Sequence, residues 1–372
     1  MKFKVNKKAF HQALQNIVGV VPVKTTIPIL ANILVDLNGN ELTLTGTDLE
    51  VSISTRLDVH GDENGAAAVP AKILFEIVRE LPDIPMEFSS DADSRIVINT
   101  EKGFYKLSGD SKDDFPRVTV ESSQGSFQID AERLSRMVNN TIFAVSTDEL
   151  RTTLMGVYLK VMDNELRMVA TDGHRLVKIV NTDFSSPGVD NESIIPTKAL
   201  NLLLKNIGDS KQIKVDLAAN HIIFEMANTR IISKGIEGQF PSYERVIPID
   251  NDKTVVVDRE LLASSVRRVS IFSNTITHQI RVSLTNGAVK VQCEDVEFGG
   301  EARETVDADY PSEEMDIGYN ANYLLDILRH LETDEIDIRV KNPVSAAVFF
   351  PHTQNENEEI LMLLMPIRLN ED

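Results

Sequence analysis

The chain has 372 residues, 42% of them hydrophobic and 26% charged, with 57 acidic side chains against 38 Lys and Arg for a net charge of −19. That balance argues against holding nucleic acid by bulk electrostatics, which takes Lys and Arg to neutralise phosphates, and no apolar run reaches the roughly 18 residues of a membrane span. The N-terminus lacks a signal peptide's apolar core and the single cysteine, Cys293, excludes an intrachain disulfide, so a cytoplasmic, reducing location is expected.

From the N-terminus, Phe3-Lys-Val-Asn6 predicts a short strand whose Asn caps a helix over roughly 7–20. Glu41-Leu-Thr-Leu-Thr-Gly-Thr-Asp48 alternates as a strand does, and Val69-Pro-Ala-Lys72 opens a second helix over 71–82, striped by Ile73, Leu74, Ile77, Val78 and Leu81. Phe115-Pro116 follows. The order then recurs. Phe127-Gln-Ile-Asp130 precedes a helix over 131–143, Glu165-Leu-Arg-Met-Val-Ala-Thr-Asp172 repeats the strand, and Ile195-Pro-Thr-Lys198 opens a helix over 197–207 with Leu200, Leu203, Leu204 and Ile207 on one side, before Phe240-Pro241. A third round brings Val255-Val-Val-Asp258, a helix over 259–272, and Ala288-Val-Lys-Val-Gln-Cys-Glu-Asp295. Tyr319-Asn-Ala-Asn322 then opens a helix over 320–332 striped by Leu324, Ile327, Leu328 and Leu331, and Met365-Pro366 closes the round.

These landmarks keep one register: the aspartates are 124 and 123 residues apart, the helix entries 126 and 124, the X-Pro pairs 125 and 125. A period that long is domain-sized rather than a solenoid repeat. Three similar domains are expected at 1–124, 125–250 and 251–372, divided in the polar, turn-rich stretches near Ser122-Ser-Gln-Gly125 and Pro248-Ile-Asp-Asn-Asp252. Two helices per unit among alternating strands imply an α+β class, each domain packing its helices on antiparallel sheet.

Charge is uneven along the chain. Counted with the capping residues Asp130 and Asp258, the six predicted helices carry 12 cations and 8 carboxylates, so they net +4 and everything else −23. Thr171-Asp-Gly-His-Arg175 invites an enzymatic reading, but Asp48 and Asp295 occupy the place of Asp172 with no histidine two residues on. The aspartate is therefore read as a turn or backbone cap. Neither zinc-ligand spacing nor a phosphate-binding glycine motif occurs, so no catalysis, metal or cofactor is expected.

Thr26-Ile-Pro-Ile-Leu30, Leu44-Thr-Gly-Thr-Asp-Leu-Glu50, Ala170-Thr-Asp-Gly-His-Arg-Leu176, Gly238-Gln-Phe-Pro-Ser-Tyr-Glu-Arg-Val246 and Met365-Pro-Ile-Arg-Leu369 together resemble the bacterial DNA polymerase III β subunits, the sliding clamps, over essentially the whole chain. The resemblance implies a non-catalytic processivity factor. Its head-to-tail homodimer of three-domain subunits would be a closed ring around duplex DNA, with twelve helices lining the hole and sheets outside. Such a ring is retained by topology, so it needs only weak, sequence-blind phosphate contacts, which suits the charge pattern. A separate ATP-driven loader would open it. The rival class is a three-domain scaffold or adaptor that binds no DNA.

The resemblance also implies a cleft for short linear peptides from the replicative polymerase, the clamp loader, other polymerases and repair proteins. The matching positions are Leu154, Thr171, Gly173, His174, Arg175, Leu176, Pro241, Arg245, Val246, Asn320, Tyr323, Val344, Leu363, Leu364, Met365, Pro366 and Arg368. Leucine, valine, proline and methionine supply an apolar groove, and Arg with Asn would fix a peptide backbone. The tail Asn370-Glu-Asp372 adds charge beside it.

For DNA the matching positions are Lys24 and Arg151, with Arg79, Arg133, Lys198 and Lys205 added by helical phase. Thr152 and Thr153 stand where some members have a pair of tyrosines, which removes aromatic stacking there. The subunit interface is expected to join an edge strand of the first domain to one of the third, with Tyr105 and Leu107 facing Ile271 and Phe272, and with Glu297, Glu301 and Glu304 pairing Lys102 and Lys106.

Overall fold

The computed structural model describes residues 1–295 and 299–369. One element order runs through the chain three times. The first copy is β1 (Lys2–Asn6), α1 (Lys7–Val18), β2 (Asn32–Asn38), β3 (Glu41–Thr47), β4 (Val51–Asp58), β5 (His60–Glu63), β6 (Gly65–Pro70), α2 (Ala71–Glu80), β7 (Pro85–Ser90), β8 (Arg95–Thr100) and β9 (Gly103–Ser108). The second is β10 (Ser123–Asp130), α3 (Ala131–Ile142), β11 (Gly156–Met162), β12 (Glu165–Thr171), β13 (Arg175–Asn181), β14 (Asn191–Pro196), α4 (Thr197–Asn206), β15 (Gln212–Ala218), β16 (His221–Glu225) and β17 (Thr229–Lys234). The third is β18 (Lys253–Asp258), α5 (Arg259–Val269), β19 (Gln279–Thr285), β20 (Ala288–Asp295), β21 (Gly300–Asp309), β22 (Met315–Asn320), α6 (Ala321–His330), β23 (Glu335–Val340), β24 (Ala347–Pro351) and β25 (Glu358–Leu364).

Local chemistry sets the boundaries. Asn6 accepts from the Lys8 N–H at 2.8 Å, Asp130 from Glu132 and Arg133 at 3.0 and 3.1 Å, and Asp258 from Leu261 at 2.8 Å, so each copy's first helix starts on its cap. The second helices differ: α2 and α4 follow Pro70 and Pro196 with no side-chain cap, whereas Asn320 caps α6. The expected length of α5 is shortened, because it ends at Val269 and Ser270–Phe272 is a 3-10 turn. Two stripes also shift in phase. On α2 the buried set is Ala71, Leu74 and Val78, which leaves Ile73 exposed; on α4 it includes Leu202, and Leu204 is only half-buried.

The repeated aspartate is a turn cap where it is described. Asp48 Oδ1 accepts from the N–H groups of Glu50 and Val51 at 3.0 and 2.7 Å, and Asp172 Oδ1 from those of His174 and Arg175 at 2.8 and 3.0 Å.

The residues separate into two compact units, Met1–Ser135 with Ile195–Gly235, and Arg136–Ile194 with Ile236–Asp372. In the first, a five-stranded sheet (β5-β1-β7-β8-β9) and an eight-stranded sheet (β10-β15-β16-β17-β4-β3-β2-β6) enclose a core in which Phe3, Phe10 and Phe88 pack ring to ring and α1 lies on α2, β3 and β4. The second is built on a twelve-stranded sheet, β14-β11-β12-β13-β25-β24-β23-β18-β21-β20-β19-β22, with α5 packed on α6, β20 and β21. The paired strands run antiparallel, as the α+β reading expects. Each unit contains one junction between copies, made the same way. The last strand of the second copy pairs with the fourth of the first, β17 on β4 (Thr229↔Thr55 to Ser233↔Val51), and the last strand of the third with the fourth-position strand of the second, β25 on β13 (Leu364↔Arg175 to Glu358↔Asn181). No described helix is long and apolar enough to cross a membrane.

Candidate functional site

All the cleft residues fall in the second unit. The β13–β25 pairing brings Leu176 opposite Leu363, and the 3-10 turn Thr152–Leu154 adds Leu154. These three are buried in one cluster with Val169, Ile194, Phe240, Tyr243 and Ala346. They form a floor. Leu364, also buried, faces Arg175 and Ala347 along the ladder. Around the floor stand residues whose apolar surface is open to solvent: Pro241, Val246, Val344 and Met365, the last three 55%, 65% and 41% exposed. Gly173, His174, Arg245 and Arg368 are exposed as well, and Thr171, Asn320, Tyr323 and Pro366 half-buried.

The turn after β12 is held rigid. Thr171 Oγ1 donates to the Arg175 carbonyl at 2.6 Å and accepts from the Gly173 N–H at 3.1 Å. Gly173 has φ +91°, and a Cβ there would stand 2.9 Å from Arg151 Nη1. Conformation therefore favours glycine here, and a side chain would in addition push the Arg151 guanidinium aside. The Met365 N–H donates to the His174 carbonyl at 2.8 Å, and the His174 and Tyr323 rings stack at 5.9 Å, so turn, α6 and C-terminal segment form one wall. Beyond it, the Ile367 N–H donates to the Gly318 carbonyl at 2.8 Å, docking the C-terminal segment on the edge of β22.

Two polar groups expected to grip a peptide backbone are occupied within the chain. Arg175 is buried at 8% exposure: Nε donates to Asp172 at 3.1 Å, Nη1 to Asp326 at 2.6 Å and Nη2 to the Phe143 carbonyl at 2.7 Å, while the guanidinium lies 4.7 Å over the Tyr323 ring. It braces the wall rather than presenting donors to a ligand. Asn320 Oδ1 caps α6 and its Nδ2 donates to the Thr277 carbonyl at 3.0 Å. Arg245, Arg368 and His174 are the polar side chains left at the surface.

Of the cationic candidates, Lys24 and Lys205 are exposed, Arg133 half-buried, and Arg79 exposed with its Nε 2.9 Å from Glu80. Arg151 donates from Nε to Asp148 at 2.9 Å; the Leu150 backbone N–H and this guanidinium hold the Asp148 carboxyl below the usual range. Lys198 departs from the expectation. Its ammonium donates to the Val20 carbonyl at 2.9 Å and to the Asp48 carboxylate, so it ties α4 to the capping turn instead of standing free for phosphate.

Tyr105 and Leu107 lie on β9, which among the described residues pairs only with β8 and is the open edge of its sheet. Ile271, 78% exposed, and Phe272 lie on the 3-10 turn after α5, with the Phe272 ring 3.0 Å from where a Cβ on Gly300 would stand. Phe104, 64% exposed on the same edge strand, was not singled out by sequence. Within the chain, Glu304 binds Arg268 through two bonds, one at 2.6 Å, and Glu301 lies 3.1 Å from Arg303, whereas the expected pairs with Lys102 and Lys106 are between subunits. The Lys106 ammonium sits 5.4 Å over the Phe104 ring. Glu297 and Asn370–Asp372 lie outside the described residues.

Comparison with known proteins covers the chain in three consecutive segments. Residues 1–119, 128–242 and 244–368 match the family descriptions DNA polymerase III beta subunit, N-terminal, central and C-terminal domain. The chain is 33% identical to the beta sliding clamp of Pseudomonas aeruginosa over 99% of its own length and all of that protein, and 28% identical to that of Chlamydia muridarum over the full length of both. Its fold matches the crystal structure of the DNA polymerase sliding clamp from Pseudomonas aeruginosa with a TM-score of 0.93 at 32% identity, covering 99% of this chain and 100% of that one. It also matches a sliding clamp from Bartonella birtlesii bound to griselimycin at 0.94 and 33%, with the same coverage.

Proposed function

The chain belongs to the DNA polymerase III beta subunit family and acts as a DNA sliding clamp, and from that premise we propose how it closes, holds DNA and takes up partners. Two copies join head to tail into a ring around duplex DNA. The observation that carries this reading is the strand exchange made at both internal junctions, which leaves two edges for a third use. β9 is open, and β21 meets β18 only at Ala308 and Asp309, so its first half is open opposite β20. Unpaired edges are templates for pairing, and a heterologous contact that closes after two copies gives a finite ring rather than a filament.

The register follows from the repeats. Glu294↔Glu301 stands in its hairpin as Thr171↔Leu176 and Thr47↔Ser52 stand in theirs, so Gly300 takes the place of Val51 and Arg175. Counting along the ladders Asn6↔Pro85, Glu87↔Asn99, Asn99↔Phe104 and Asp130↔Gln212, Lys214↔Glu225, Glu225↔Arg230, Phe104 takes the place of Arg230. Arg230 faces Ser54. The third junction then sets Phe104 opposite Arg303, Tyr105 opposite Ala302, Lys106 opposite Glu301 and Leu107 opposite Gly300. Leu107 meets the Phe272 ring over the one residue without a side chain, and the outer face gains an aromatic–guanidinium and a Lys–Glu pair.

Within the ring, DNA is retained by topology. Lys24 and Arg151 supply weak phosphate contacts, and the acidic remainder of the surface does not compete for DNA. The groove over Leu154, Leu176 and Leu363 receives short apolar segments of the replicative polymerase, the loader and repair proteins, so the protein tethers enzymes and performs no chemistry itself. The test loads the protein onto nicked circular DNA with an active cognate loader and ATP, then linearises the circle. Release on linearisation is expected. Retention on linear DNA, or failure to load, would overturn the ring.

A further inference from the structure

The wall that His174 and Tyr323 present to the groove is the end of a longer column of side chains. His174 stacks on Tyr323 at 5.9 Å, the Arg175 guanidinium lies 4.7 Å from the Tyr323 ring centre and 5.2 Å from that of Phe143, and Phe143 stacks on His330 at 3.9 Å with the two planes 8° apart. The column is tightest at its deep end and loosest at the groove. Its members come from three elements: the turn after β12, α6, and the segment after α3. Phe143 and His330 were not among the residues expected at the groove, and neither belongs to its floor or rim.

Helix α6 supplies Tyr323, Asp326 and His330, whose spacing of three and four residues sets them on one face. Arg175 donates to the Asp326 carboxylate at 2.6 Å and to the Phe143 carbonyl at 2.7 Å. His330 Nδ1 stands 2.7 Å from the Asp326 carbonyl oxygen, which can only accept, so this nitrogen carries the proton and the ring is held in place. Both Phe143 and His330 are half-buried, and His330 also borders an open cleft lined by Arg136, Glu332 and Glu358, so the core does not rest on its ring.

We propose that Phe143 and His330 are positioning residues for the peptide groove, fixing through Arg175 the Tyr323 ring and with it the His174 edge on which a partner segment rests. The proposal rests on the peptide-groove reading above. The hydrogen bonds of Arg175 act in the plane of the guanidinium, whereas its contacts with the Phe143 and Tyr323 rings set the height and tilt of that plane. With the His330 ring removed, Phe143 can turn, and the play passes along the column to a wall whose last stack is already its loosest.

The test titrates the full-length protein with a synthetic peptide carrying the docking segment of the cognate replicative polymerase and records the thermal unfolding of each variant beside it. His330→Leu keeps apolar bulk but removes the stacking ring. It should bind about threefold to tenfold more weakly, the range that one aromatic contact supplies, with an unchanged thermal midpoint, and His330→Phe, which returns a ring, should recover most of the loss. In a Tyr323→Ala background, where the column is cut, His330→Leu should cost nothing further. Unchanged affinity in His330→Leu, a loss matched by a fall in the thermal midpoint, a loss that His330→Phe does not recover, or the same loss in the Tyr323→Ala background overturns the positioning proposal alone. No binding by the unmodified protein overturns the groove reading and this proposal with it.

Discussion

Gly318→Ala places one methyl group where the chain has no room for it. A Cβ at this residue would stand 2.4 Å from the Ile367 carbonyl oxygen, 3.0 Å from Leu369 Cδ2 and 3.3 Å from the Ile367 carbonyl carbon. The corresponding bridges in the other copies hold ordinary side chains: Ala68 bonds Asp110 in both directions at 3.0 and 2.8 Å, and the Ile236 N–H reaches the Ile194 carbonyl at 2.9 Å. In the third copy the C-terminal segment lies closer, and glycine is what admits it. To restore ordinary contact the segment must move by about 1 Å, at an overpacking cost of about 1–3 kcal/mol, and the 2.8 Å bond from Ile367 to Gly318 weakens with it, worth about 1 kcal/mol. Because that segment carries Met365, Pro366 and Arg368 at the rim of the groove, the displacement appears mainly as lost ligand affinity, about 1–2 kcal/mol or roughly fivefold to thirtyfold. Titration calorimetry with the polymerase peptide reads this directly, and thermal unfolding run beside it separates a moved segment from a damaged fold. Unchanged affinity would refute the idea that the β22 edge positions this wall.

Lys106→Glu and Glu301→Lys should each weaken the dimer severalfold in sedimentation, since a like-charge pair replaces an attraction of order 0.2–1 kcal/mol, and the two together should restore it; no recovery in the double variant would reject the register. Ile271→Ala with Phe272→Ala should give monomers, because large apolar anchors carry most of an interface's energy, and a dimer mass persisting on dilution would argue against that contact. Lys24→Glu with Arg151→Glu should slow loading onto nicked circles yet leave the sedimenting species dimeric. His11 is kept below the ordinary imidazole range by burial, then by Lys7 and Arg79. Folding thus favours its neutral form, and the stability it contributes is complete above the unfolded-state value and is lost as pH falls below it. His11→Gln should flatten that acid limb of the melting curve, and an unaltered limb would place the effect elsewhere.

The features of the structure legible in the sequence are those decided within a few residues. Asp48 and Asp172 act as turn caps because an Asx side chain reaches its own backbone two and three residues on, wherever the rest of the chain goes. The caps at Asn6, Asp130 and Asp258 are of the same kind. Apolar stripes are legible to within one helical position, and Ile73 shows the limit: an apolar residue beside a stripe reads like one in it until the facing elements are known. The side chains whose roles changed are governed by distant partners. Arg175 meets Asp326, 151 residues away, and Lys198 meets Asp48, 150 residues away, both across junctions between copies. Sequence spacing can place an arginine at a groove, but only the packing of α6 and of the segment after α3 against it reveals that its donors are already used.

The same junction chemistry explains where a ring made of this chain would open. At its two internal uses the strand exchange is reinforced by a side chain beneath it, Arg175 to Asp326 in one and Lys198 to Asp48 in the other, and the polypeptide itself keeps the partners at high effective concentration. At the third use proposed above the covalent link is absent, while Lys72 and Asp295 stand at the repeat positions of Lys198 and Asp48. Gly300 occupies the place of Arg175, so the buried guanidinium hub has no counterpart, and no peptide bond links the copies. Under the proposed register that joint would have a short strand ladder, a contact of Leu107 with Phe272, and charge pairs open to solvent, each worth little on its own. A ring needs joints of unequal strength if a loader is to open a single joint without unfolding the others. The equivalent positions are Val51, Arg175 and Gly300, so a buried guanidinium anchors one joint alone, and the missing covalent link is what makes the proposed third joint the weakest.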